Sequence, residues 1–174
     1  MNNMISYQQF LDKWLGKRYR ETPELGYQCV ALAKLFFEEV YGITGLSFGW
    51  SAINGFNKKG NLQDILDYVV QPQEGDMTFF KPTPTNKSGH VGIYKDQKTL
   101  LEENGGNWNW DGLWANAIRL WKMPKNILGY MRPRESQNDA RVRKFADKHG
   151  IQGRSKTEPY TQYETLLILS KLYE

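Results

Sequence analysis

The chain has 174 residues, 40% of them apolar and 24% charged, enough for one compact domain or a domain with a short appendage and too apolar for wholesale disorder. No stretch approaches the ~20 apolar residues of a membrane span. The start, MNNMISYQQFLDKWLGKRYR, lacks the continuous apolar run of a secretory signal, which points to a protein made in the cytoplasm without a signal peptide. One cysteine excludes an internal disulfide framework, and two distant histidines make no zinc cluster, so neither metal nor cofactor is expected. Net charge is +4, but residues 132–156 hold eight Lys/Arg against three acids, so the positive excess lies there. Such a patch suits a polyanion, an anionic cell-wall polymer before nucleic acid, because no recognition helix, zinc finger or RNA-binding aromatic signature accompanies it. A solvated linker and helix face is the plainer alternative.

In chain order, Ser6 caps a helix that carries Phe10, Leu11, Trp14 and Leu15 on one face and stops at Gly16. A loop with Pro23 and Gly26 leads to a stronger helix over 28–41, with Cys29, Ala33, Phe36 and Val40 at helical spacing and Gly42 at its end. Residues 51–67 read as two short helices broken around 57–60. The period then changes: short strands are predicted over 76–80, 91–94, 100–104, 117–121 and 129–132. Helices first and closely spaced strands after them, without βαβ alternation, imply an α+β domain with helices packed on an antiparallel sheet. A polar linker over 134–140 and helices over 139–149 and 160–172 form a small appended hairpin, so the expected division is 1–134 and 135–174.

Three positions carry the chemistry. Cys29 opens the long helix, where unpaired N–H groups and the positive end of the dipole favour a thiolate and can line an oxyanion hole. A lone cysteine is otherwise a small buried hydrophobe. His90 begins a strand, Ser88-Gly89-His90-Val91-Gly92-Ile93-Tyr94, on the face of Gly92 and Tyr94; the small Gly89 and Gly92 leave room beside the ring for a substrate or a close-packed helix. In Leu101-Glu102-Glu103-Asn104, a strand puts Glu102 and Asn104 on one side and Glu103 on the other, so Glu102 or Asn104 can orient the imidazole. His149, beside Gly150, reads as a helix C-terminal residue.

The order Gly26-Tyr27-Gln28-Cys29-Val30-Ala31-Leu32-Ala33, Glu74-Gly75-Asp76, Gly89-His90-Val91-Gly92-Ile93 and Leu101-Glu102-Glu103-Asn104 resembles the CHAP family, the cysteine, histidine-dependent amidohydrolases/peptidases of papain-like, NlpC/P60-type fold. Ile127-Leu128-Gly129-Tyr130-Met131-Arg132-Pro133 is similar to that family's last strand, and the resemblance covers residues 5–134. It implies Cys29 as nucleophile, His90 as general base and then acid, Glu102 or Asn104 as orienter, and Gln28 as part of an oxyanion hole. Many phage enzymes of the family carry an aspartate-rich calcium loop before the cysteine. Here that loop reads Arg18-Tyr19-Arg20-Glu21-Thr22-Pro23-Glu24, too poor in acids for a hard cation.

The tail, from Phe145-Ala146-Asp147-Lys148-His149-Gly150 to Pro159-Tyr160-Thr161-Gln162-Tyr163-Glu164, loosely resembles an S-layer-homology module that docks to a wall or a virion tail protein; a packing helical hairpin is the alternative. Trp108, Trp110, Trp114 and Trp121 cluster after the orienting residues. Trp108 and Trp110 are candidates for stacking on substrate sugars, and Trp121 for core or groove-wall packing. The expected activity is peptidoglycan hydrolysis at an amide bond, as a muramoyl-alanine amidase or a stem or cross-bridge endopeptidase, at the bacterial cell wall. A lysin or an enzyme carried in a phage virion fits that expectation. A catalytically inactive wall- or virion-binding protein on the same fold, and a thiol enzyme acting on another amide or acyl group, are the alternatives.

Overall fold

Ser6 opens the first helix. Its hydroxyl accepts from the Gln9 N–H while the Gln9 side chain accepts from the Ser6 N–H, a reciprocal cap that pairs two otherwise orphaned amides. In the computed structural model, which describes residues 4–23, 28–104 and 117–134, α1 spans Tyr7–Trp14 and buries Tyr7, Phe10 and Leu11. The second helix, α2, spans Cys29–Tyr41, buries Leu32, Ala33, Leu35, Phe36 and Phe37 among others, and ends at Gly42 in the left-handed conformation. Aromatic rings join the two helices, with Tyr7 and Phe10 both edge-on to Phe36. At the rim, Lys13 Nζ and Trp14 Nε1 both donate to Glu39.

Two short helices follow, α3 (Ala52–Phe56) and α4 (Leu62–Ile65). The expected helical stretch nevertheless stops early, because Leu66 turns extended and starts a strand, β1 (Leu66–Val69). Of its residues Leu66 alone is buried, and it lies at an edge of the sheet, so neither alternation nor an apolar run marks it in the sequence. The remaining strands are β2 (Met77–Phe80), β3 (His90–Tyr94), β4 (Thr99–Glu102), β5 (Arg119–Lys122) and β6 (Ile127–Pro133), in the sheet order β1-β6-β2-β3-β4-β5. The pairs β2–β3, β2–β6, β3–β4 and β4–β5 are antiparallel, with Phe80 opposite His90, Met77 opposite Met131, Ile93 opposite Leu101 and Glu102 opposite Arg119. This is the α+β, papain-like layout expected, with helices packed on an antiparallel sheet. The core joins Leu32, Phe36 and Phe37 of α2 to Val91 and Ile93 of β3, Phe79 of β2 and Met131 of β6.

The chain divides into two compact units, Met1–Arg132 and Pro133–Glu174. The expected basic linker and helices over 139–149 and 160–172, with His149, and Trp108, Trp110 and Trp114 lie outside the described residues. Among the described residues no helix is long and apolar enough to cross a membrane.

A buried ion pair ties the sheet together where two quoted motifs meet. Asp76, fully buried just ahead of β2, accepts from Arg132 Nε at 2.8 Å, Arg132 Nη2 at 2.7 Å and the Gln73 N–H at 2.8 Å. Gly75 turns the chain ahead of it at φ 94°, a conformation open to glycine, with the Tyr41 hydroxyl standing where a side chain would project. Removing the guanidinium leaves a buried carboxylate with only the Gln73 N–H as partner among these three contacts. Arg132→Ala should therefore lose ~3 kcal/mol of stability, and Arg132→Lys, which keeps charge but not the fork, should recover part of it. Urea unfolding of the three proteins measures both.

Candidate active site

Cys29 is the first residue of α2, placed there by Gln28, whose extended backbone (φ −128°, ψ 142°) forms the N-cap. The Gln28 carbonyl accepts from the N–H groups of Ala31 and Leu32, while its side chain makes no capping bond. The sulfur thus meets the positive end of a 13-residue helix with no acid in its first turn. Cys29 keeps partial exposure to solvent.

Packing of α2 on β3 brings the strand's first residue to the thiol. His90 hydrogen-bonds to Cys29 and, through Nε2, to Glu102 Oε2 at 3.1 Å, which leaves Nδ1 to face the sulfur. Phe80, its cross-strand partner, sets its ring against the imidazole at 5.9 Å between centroids. Glu102 closes β4 with 1% of its surface exposed, and its other oxygen accepts from Arg119 Nε at 3.0 Å. Sequence reasoning missed Arg119. The signal was present but non-local, because only the pairing of β4 with β5 sets Glu102 opposite it.

The electrostatics follow from this line of groups. Enclosure by protein pushes the Cys29 thiol up, but the charge and hydrogen bond of His90, with the N–H groups of Val91 and Val30, outweigh it and hold the thiol below its usual value. Enclosure pushes His90 down, while the thiolate and then Glu102 lift it to about 10. Both shifts favour the thiolate–imidazolium form of the pair, the nucleophilic form of a cysteine beside a proton donor.

Other expected positions fall differently. The strand ends at Glu102, so alternation does not carry to Asn104, which lies past it at φ 58° and half-buried. Glu102, and not Asn104, holds the His90 hydrogen bond. The space expected at Gly92 is already filled, since a side chain there would run into Leu100 of β4. At Gly89 (φ 68°) the neighbour is Ile53 of α3, whose N–H bonds the Ser88 carbonyl. Trp121 is no core residue. It is 45% exposed on the edge strand β5, and the Arg119 guanidinium lies 4.0 Å from its ring. Among the described residues no group of three or more His, Cys, Asp and Glu is gathered as a cation would need.

Glu103, expected on the side opposite Glu102 and Asn104, is fully buried. It accepts from the Tyr19 N–H at 2.7 Å and so fastens the loop after α1, while its second oxygen has no partner. Burial raises its carboxyl to about 8, against the opposing pull of the Tyr19 N–H and Arg18.

No protein-family model matches the sequence, and none of the curated proteins matches it. The fold is similar to that of the crystal structure of a wild-type endolysin, LysIME-EF1, with a TM-score of 0.54 at 16% identity over 75% of this chain and 65% of that one. At that identity the likeness is one of fold, and the chain spans slightly less than two thirds of that structure. Two structures of Ly7917, one with the hydrolyzing product of MDP, align more loosely, at TM-scores of 0.46 and 0.42, 21% and 22% identity, 61% of this chain and 53% of theirs.

Alkylation of Cys29 by iodoacetamide should saturate well below pH 8, with a midpoint under the ~8.5 of a free thiol. In His90→Gln, where burial is left unopposed by the imidazolium, the midpoint should move to or above that value. Glu103 carries the opposite sign of pH dependence from a salt-bridged acid. The folded state keeps a proton that the unfolded chain releases, so stability falls as pH rises from the unfolded value, about 4.5, to the folded one, about 8. Glu103→Gln, which keeps an oxygen for the Tyr19 N–H, should match the parent near pH 4 and exceed it by ~1–3 kcal/mol at pH 9 in thermal or urea unfolding.

Proposed function

We propose that this chain hydrolyses an amide bond of bacterial peptidoglycan through a Cys29 thiolate. The observation that carries the reading is the line from the α2 N-terminus through His90 to the buried Glu102, in which a thiol is paired with an imidazole whose far nitrogen is held by a carboxylate. The choice of substrate is supported by the CHAP-like motifs of the sequence and by the fold shared with a protein named as an endolysin. The scissile bond is the lactyl amide of muramic acid or a peptide bond of the stem or cross-bridge. A phage lysin or a virion-carried enzyme is the biological setting of that reading.

In this mechanism Cys29 Sγ attacks the carbonyl carbon, and the carbonyl electrons move to oxygen. N–H groups at the start of α2 receive the oxyanion, with the uncommitted side chain of Gln28 beside them. His90 gives its proton to the leaving nitrogen as the C–N bond breaks, leaving a thioester and a neutral imidazole. Water, deprotonated by His90, then attacks the thioester, releases a carboxylic acid and restores the thiolate–imidazolium pair. Glu102 keeps the ring in the tautomer and orientation that both transfers need. Trp108 and Trp110 are proposed to contact substrate, and the basic segment over 135–174 to hold the enzyme on anionic wall polymers or on a virion partner.

Purified protein should clear wall suspensions and release free amines from peptidoglycan. Cys29→Ala should abolish the release and leave wall binding intact. Binding without any release by the parent would assign the fold to a wall- or virion-binding role. Release from small acyl substrates but not from walls would assign it to a different amide. A chain ending at Arg134 should still cleave soluble wall fragments yet bind whole walls more weakly at low salt, a difference that shrinks as salt rises.

A further inference from the structure

Glu102 is shared. One oxygen takes the His90 Nε2 contact at 3.1 Å and the other the Arg119 Nε–H at 3.0 Å. Arg119 Nη2 lies 2.9 Å from that second oxygen, close enough to add charge although poorly aligned to donate. A single rotation about the carboxyl bond would exchange the two oxygens, and a swing of the side chain would break both contacts. The guanidinium prevents either, because β5 fixes it directly across the ladder from Glu102 and the Trp121 ring backs it at 4.0 Å. The groups facing one another are then Cys29 from α2, His90 from β3, Glu102 from β4 and Arg119 from β5.

We propose that Arg119 is a positioning residue for the Cys29–His90 pair, acting through Glu102 by holding its carboxylate in the one rotation that presents an oxygen to His90. The inference rests on Cys29 and His90 being the reactive pair. A brace that merely joined the edge strand β5 to β4 would contribute to stability and leave the thiol untouched. A positioning residue must change the thiol, and in a definite direction. Without the guanidinium the Glu102 carboxylate is free to rotate, and the imidazolium loses its fixed partner. Each of these raises the pH at which Cys29 becomes nucleophilic.

The test is the pH midpoint of iodoacetamide alkylation, read beside thermal unfolding, for the full chain and for R119A, R119K, E102Q and the E102Q/R119A double variant. R119A should raise the midpoint by ~1 pH unit, a roughly tenfold loss of alkylation rate on the acid limb. R119K, with charge but no planar fork, should raise it by less than R119A. E102Q should raise it too, and adding R119A to E102Q should move it no further, since both act through one carboxylate. Unchanged midpoints in R119A and R119K together with a lower melting temperature would overturn the proposal in favour of a brace, as would additive shifts in the double variant. If R119A does not fold, R119K carries the same decision. A parent midpoint at the ordinary thiol value would overturn the reactive pair itself and this proposal with it. A depressed parent midpoint with unmoved variants overturns the role of Arg119 alone.

Discussion

A carboxylate with 1% of its surface exposed has to be met by cations, and the site is organised around that requirement at Glu102. Burying such a charge alone costs several kcal/mol after relaxation. The sheet supplies the remedy from both sides, His90 from the strand before and Arg119 from the strand after. Strand order and site chemistry are therefore one constraint. β4 lies between β3 and β5, and any shift of a single residue on either side would turn a cation away from the carboxylate. The helix completes the line with its N-terminal dipole and one sulfur.

A second buried carboxylate does for the scaffold what Glu102 does for the thiol. Asp76 before β2 and Arg132 in β6 are far apart in sequence and form a bidentate pair beside the Gly75 turn. This gives a physical reason for motifs that carry no chemistry of their own. Glu74-Gly75-Asp76 supplies the turn and the buried acid, and Gly129-Tyr130-Met131-Arg132 supplies the base on the strand that pairs with β2. Both ion pairs use arginine, whose planar fork holds a carboxylate's rotation as well as its charge.

Much of this was legible in the sequence where the signals were local. Ser6 with Gln9, Gly42 after Tyr41, and the cysteine at the start of the long amphipathic helix each describe their own surroundings, and the structure has those helices within a residue of the reading. The strand β1 was not legible, because an edge strand with one buried residue carries no period. Arg119 was hidden for a different reason, since its partner is chosen by ladder register and not by spacing along the chain. The surroundings of Glu103 and Asn104 were not legible for a third reason. Alternation was extended past Glu102, but the strand stops there, and the chain turns Glu103 inward to the Tyr19 N–H and Asn104 into a left-handed conformation. Trp121 was taken for core or groove-wall packing from its place in an alternating strand, whereas an edge strand offers an indole a cation to cover.

The contact of the Tyr41 hydroxyl with the space at Gly75 gives α2 a fixed end as well as a reactive one. Cys29 and Tyr41 are the first and last residues of the same helix, a rod of about 20 Å at 1.5 Å per residue. Bulk added at residue 75 would meet the tip of the Tyr41 side chain and would also have to adopt a backbone conformation that favours glycine. The turn that places the buried acid of the scaffold therefore also leaves room for the last side chain of the helix whose first residue is the sulfur.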